Sequence, residues 1–209
     1  MTQTTNELVN NGHKQPSSSL PTLRTRNFWM WWLLNVLTGG IAGLVYLFIN
    51  LADLNRLVKY PRPEGVSSTQ TNLTVGLVSL LCVPLVPLTI FYLYCLKFKV
   101  FKNYLVAQQK QQPVTDEKVK PDPSKLMGCR DYLVLNLGGG LFLTGTSFFA
   151  TFAFFLPANY SNLLTILFGI CFFALLILSG YLLYHQWLWQ QLMNEQVLKL
   201  DPSAQKKLL

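Results

Sequence analysis

The sequence predicts an all-α integral membrane protein of four transmembrane helices, and three observations predict it. Of its 209 residues, 51% are hydrophobic and 12% charged, about half the charged share of an ordinary soluble domain, and the mean hydropathy is +0.31. No Asp, Glu, Lys or Arg occurs from Asn27 to Ala52, from Val66 to Leu96, or from Tyr132 to Asn194, and each stretch exceeds the ~20 residues that cross a hydrocarbon core as a helix. The last stretch has room for two helices. Pro157-Ala158-Asn159-Tyr160-Ser161-Asn162, a run of turn formers, divides it into a helical hairpin.

Residues 1–25 read as a disordered polar tail, because Thr, Asn, Gln and Ser cannot bury enough apolar surface to offset the entropy of ordering. The first apolar run begins too late and runs too long for a cleavable signal peptide. The spans are expected at Phe28 to Leu47, Leu73 to Leu96, Tyr132 to Leu156 and Leu163 to Tyr184. They group as a first two-helix unit over 26–106 and a second over 130–196. A polar, proline-containing linker over 107–129 joins the units, and a short tail over 197–209 follows. Pro84 and Pro87 predict a bend in the second span.

Four spans place Lys14, Arg24, Arg26, the loop between spans two and three, and the C-terminal tail on one side. Fourteen of the 17 basic residues fall there, against Arg56, Lys59 and Arg62 opposite. The positive-inside rule then predicts both termini in the cytoplasm and, with the family likeness below, the cytoplasmic membrane of a prokaryote. Trp29, Trp31, Trp32, Trp187 and Trp189 all fall at the same predicted face, where indole rings anchor at the interface. Lys97, Lys99 and Lys102 follow the second span and read as anchors that snorkel to headgroups. The net charge of +8 is accounted for by orientation and by contact with an anionic inner leaflet, which leaves no call for a nucleic-acid partner.

A faint repeat links the halves. Thr71-Asn72-Leu73 resembles Ser161-Asn162-Leu163, and Arg26-Asn27-Phe28 resembles Arg130-Asp131-Tyr132. This allows two parallel two-helix repeats, with chance similarity between apolar helices as the alternative. In the first span, Arg26 precedes Trp31-Trp32-Leu33-Leu34, Leu37-Thr38-Gly39-Gly40-Ile41 and Gly43-Leu44-Val45-Tyr46, and Asp53-Leu54-Asn55 follows. This pattern resembles a family of small, mostly prokaryotic membrane proteins of unknown function, marked by a Thr-x-Gly-Ile-Tyr core and a later Leu-Asn pair. Ala42 stands where that family has tyrosine, and the likeness covers residues 24–96. It implies a fold and no mechanism.

Gly39, Gly43, Gly138, Gly139, Gly140 and Gly145 are expected to mark helix-packing faces, since small residues let helix backbones approach where lipid removes the hydrophobic drive. Asn35 and Asn136, the deepest polar side chains, are expected to bond between helices. No Asp, Glu, Lys, Arg or His lies centrally in a span, so no catalytic set is predicted. The cysteines, Cys82, Cys95, Cys129 and Cys171, have no metal-binding spacing. No metal or cofactor is expected. The sequence therefore points to a non-enzymatic accessory, assembly or scaffold subunit that packs against another membrane subunit or against itself. The alternative is a small oligomeric channel or carrier for a weakly polar solute, lined at Asn35 and Asn136.

Overall fold

In the computed structural model, which describes residues 22–60, 72–80, 83–111, 122–155, 158–202, 204 and 206–207, Asn27 opens the first helix. Its side-chain oxygen accepts a hydrogen bond from the Trp29 amide at 3.0 Å, which satisfies one donor that a helix start leaves unpaired. Helix α1 (Phe28–Leu37) ends after 10 residues. The Thr38 amide then donates to the Leu34 carbonyl and the Gly40 amide to the Asn35 carbonyl, both at 2.9 Å. This closure is typical of a left-handed residue just past a helix end. Gly39 and Gly40 supply that conformation, with φ of 59° and 102°, which a Cβ would make costly. Thr38 Oγ1 accepts from the Ala42 amide at 3.0 Å and so starts α2 (Ile41–Leu57).

The chain reverses at this turn. The Phe28 and Tyr46 rings lie 6.4 Å apart, and Trp31 stacks on Tyr46 at 5.2 Å, whereas a straight helix would separate positions 28 and 46 by about 27 Å. The continuous span expected from Phe28 to Leu47 is thus corrected to a helical hairpin. Its short arm rises about 15 Å, half of the ~30 Å of a hydrocarbon core.

The stretch from Leu73 to Leu96 is likewise interrupted. Helix α3 (Leu73–Ser79) is followed by a 3-10 turn, Val83–Leu85, and then by α4 (Val86–Gln111). Pro84 lies in the turn and Pro87 in the first turn of α4, where an amide N–H has no intrahelical partner to lose. Helix α3 leans on its neighbours: a Cβ on Gly76 would sit 3.3 Å from the Leu93 side chain and 3.4 Å from Phe48.

Helices α5 (Cys129–Phe155) and α6 (Ala158–Leu200) pack along each other and rise about 40 Å and about 64 Å. Two helical stretches, Pro123–Phe155 and Asn162–Leu200, are long and apolar enough to cross a membrane. Because the first half folds back on itself while α5 and α6 run uninterrupted, the halves are not equivalent two-helix repeats.

The buried core sits at one end, where α2, α4, the segment before α5 and the last third of α6 meet. Leu54, Leu57, Phe98, Phe101, Leu105, Trp189 and Val197 are fully buried there. Leu126 and Met127, within the expected linker, are buried in the same core, and α4 runs through 107–111, so only residues 112–121 of that linker lie outside the described residues. Of the expected N-terminal tail, residues 1–21 lie outside the described residues, while Leu23 and Thr25 are buried. A short parallel strand pair, β1 (Thr25–Arg26) with β2 (Lys206–Lys207), ties the two described ends together. Away from this core, α5 and α6 expose Leu137, Leu141, Phe154, Ile170 and Phe173.

Candidate functional site

The hairpin and the last third of α6 meet through a polar network. Asp53 on α2 accepts from Arg26 Nε at 2.6 Å and from Arg56 Nη1 at 3.1 Å, with the Arg26 and Asp53 side chains at 7% and 8% exposure. Asn194 on α6 treats the Arg26 backbone as a strand would: its Oδ1 accepts from the amide at 3.1 Å, and its Nδ2 donates to the carbonyl at 2.8 Å. Gln190, one turn earlier, donates to Asn194 Oδ1 at 2.9 Å and accepts from the Tyr46 hydroxyl at 2.5 Å. A buried ion pair is tolerable only when its remaining valences are met in this way.

Lys97 on α4 is only 1% exposed. Its ammonium stands 4.2 Å from the centre of the Trp189 ring and 5.6 to 5.9 Å from those of Tyr46, Tyr94 and Phe98. It donates to Gln186 Oε1 at 2.8 Å, and among the described residues no carboxylate pairs with it. Burial pushes the amine down to about 7 from its ordinary 10.5. The four ring faces and the Gln186 carbonyl act in the opposite sense and favour the cation.

Above this cage a cleft of about 220 Å³ opens between the hairpin and α6, lined among others by Trp31, Asn35, Tyr46, Tyr94, Ser179 and Gln186. Trp31 is 8% exposed, and its indole N–H is buried without a hydrogen-bond partner among the described residues.

Several residues picked out in the sequence take different roles here. Arg56, expected on the opposite side from Arg26, shares Asp53 with it, because the Thr38–Gly40 turn returns the chain to its starting level. Arg62 and Cys82 lie outside the described residues. Trp189 is a core residue that donates to the Lys97 carbonyl at 3.3 Å, not an interface anchor. Trp187 packs against the Phe28, Trp31 and Tyr46 cluster, while Trp29 and Trp32 are exposed. Lys97 is buried rather than snorkelling, Lys99 is exposed, and Lys102 donates to the Leu126 carbonyl at 3.1 Å.

Among the glycines, Gly39 serves the turn and has open space at its Cβ position, whereas a Cβ on Gly43 would overlap Asn35 Oδ1. On α5, Gly138 and Gly145 face α6, where an added Cβ would lie 3.6 Å from Leu178 and 3.1 Å from Cys171 Sγ, and Gly139 and Gly140 face open space. Asn35 lies between the hairpin arms. Asn136 donates to the Tyr132 carbonyl of its own helix at 2.8 Å, so this bond of its amide lies within α5.

The sequence reading missed Asp53, Tyr46, Gln186, Gln190 and Asn194. Their available signal was three polar residues, Gln186, Gln190 and Asn194, at four-residue spacing on one face of α6. Among the described residues, no three His, Cys, Asp or Glu side chains gather as metal ligands. No family model, no curated protein and no solved structure matches this chain.

Proposed function

We propose that this chain is a non-enzymatic integral membrane protein with both ends on the cytoplasmic side, acting as an accessory or assembly subunit through the apolar faces of α5 and α6. The carrying observation is the contrast along α5: Gly138 and Gly145 are spent on α6, while Gly139 and Gly140 look outward beside the exposed Leu137 and Leu141. Outward small residues flanked by large apolar ones suit close approach by another helix in lipid. The ionisable groups of the polar network support the same reading, since Arg26, Asp53 and Arg56 pair with one another. In this reading α5 and α6 cross the bilayer, and the two segments before them enter and leave it on one side, in keeping with a short arm that reaches only half the depth.

Two experiments test it. Replacing Gly139 and Gly140 together by Leu is expected to abolish co-purification of the partner or second copy while leaving the thermal unfolding of the chain unchanged. A wild-type chain that is strictly monomeric and partner-free in native nanodiscs would defeat the assembly role. Topology is read by single cysteines at Lys59 and Lys99 in sealed vesicles: the reading requires labelling from the same side, and labelling from opposite sides restores four spans.

A further inference from the structure

Lys97 is a buried cation whose only hydrogen-bond acceptor among the described residues is an uncharged carboxamide, Gln186 Oε1. Gln186 also lines the cleft, and the Tyr46 and Tyr94 rings that flank the ammonium line it too. The positive charge therefore lies one side-chain layer behind the cleft floor. Among the described residues, with Oε1 committed to Lys97, the Gln186 carboxamide has its Nε2 hydrogens left to offer, and the Trp31 indole N–H is buried without a partner. Donors and a cation at one end, with no acceptor charge to balance them, are complementary to an anion.

The opposite end of the cleft is of another kind. Ser179 lies two turns of α6 before Gln186, about 10 Å away along the helix axis, and the walls between are Trp32, Leu182 and Leu183. The space, about 220 Å³, falls below the ~300 Å³ at which pockets for whole drug-sized ligands begin. It is sized for a headgroup and the first carbons of a chain.

We propose that this cleft binds the phosphate headgroup of an anionic membrane lipid, held by Gln186 and the Trp31 indole and neutralising Lys97, with its acyl chain leaving past Leu182 and Leu183. The inference rests on the membrane embedding proposed above. Burial, which pushes Lys97 down to about 7, gives a corollary: a bound phosphate restores the ammonium, so occupancy should strengthen as pH falls towards 7. Asp53, Arg26 and Arg56 are engaged with one another and do not pair with Lys97. His185, the remaining titratable neighbour on α6, is T-stacked between Tyr181 and Tyr184.

The test is native mass spectrometry of the full chain released from nanodiscs of equal phosphatidylglycerol and phosphatidylcholine, with inorganic phosphate as a third arm. One retained phosphatidylglycerol, favoured at least tenfold over phosphatidylcholine, is expected, with no retention of inorganic phosphate. Lys97→Met should reduce the preference to within twofold, and Trp31→Phe, which removes the N–H together with the five-membered ring of the indole, should weaken it severalfold. Lys99→Met, on the exposed face of α4, should leave it intact. Equal retention of both lipids by the wild type overturns the site, as does an unchanged preference in Lys97→Met. If Lys97→Met fails to fold, Gln186→Leu and Trp31→Phe decide, and full preference in both overturns it. Alkaline extraction of the same membranes separates the two readings: a chain that stays in the bilayer without lipid preference loses the site alone, and a chain released by alkali loses the embedding as well.

Discussion

From Asn162 to Tyr184, α6 exposes Leu163, Ile166, Ile170, Phe173 and Ile177, whereas from His185 to Val197 the same helix buries Trp189, Gln190, Met193 and Gln196. One continuous helix thus serves two environments. The outer part is largely apolar and packs chiefly along α5. The inner part carries amides at four-residue spacing and meets the hairpin, β1 and α4. The difference teaches where specificity resides: apolar side chains facing a uniform solvent are interchangeable, while Gln186, Gln190 and Asn194 in the inner part each have a particular partner whose loss leaves a buried polar group unmet.

The comparison can be broken most directly at Asp53. Asp53→Ala removes the anion shared by Arg26 and Arg56 and leaves the Arg26 guanidinium buried without a counter-charge, so a loss of about 3–5 kcal/mol is expected in denaturant unfolding. Gly43→Leu comes next. It drives a side chain into Asn35 at the hairpin seam and should cost about 1–3 kcal/mol. Asn35→Ala in the same chain should recover part of this, whereas a simple change in helix propensity would not be rescued.

The pH dependence of stability sharpens the contrast further. In the unfolded chain Lys97 keeps its proton to its ordinary 10.5, and in the fold it loses it at about 7. Unfolding therefore takes up a proton between these values, and stability should rise with pH across that window by up to about 1.4 kcal/mol per pH unit. Below about 7 both states are protonated and this slope vanishes. Tyrosines set the upper limit: burial pushes Tyr104 up to about 12 from 10.0, so its ionisation in the unfolded chain removes stability above about 10. Thermal unfolding at pH 7, 8 and 9 should show the rise in the wild type and not in Lys97→Met. The smallest effect belongs to the outer part, where Leu141→Ala, at 71% exposure, should move stability by less than about 0.5 kcal/mol.

Absence of charge marked every apolar segment in the sequence, and the turn formers after Leu156 marked the hairpin of α5 and α6. These are local signals. The reversal at Thr38–Gly40 was hidden because a Gly-x-x-x-Gly spacing describes a packing face and a turn equally well. Adjacency was the discriminating clue, since two neighbouring glycines after a threonine can close one helix and cap the next. Lys97 was hidden for another reason. A lysine just past an apolar run reads as a headgroup anchor, and two of the rings that enclose it, Tyr46 and Trp189, come from positions 51 residues before and 92 residues after it. No local pattern announces such an enclosure. Asp53 stood in plain view as part of a family-like motif, but its partner Arg26 became legible only once the intervening chain was known to turn back.

The pairing of Asn194 with the Arg26 backbone joins positions 168 residues apart. Ribosomes deliver those two positions at very different times, at about 5–20 residues per second. The hairpin and its Arg26–Asp53 bridge are therefore complete as a local unit well before the amides of α6 exist to clasp them. Until then the amide and carbonyl of Arg26 have no Asn194 to meet, and the polar network closes only once α6 has been made.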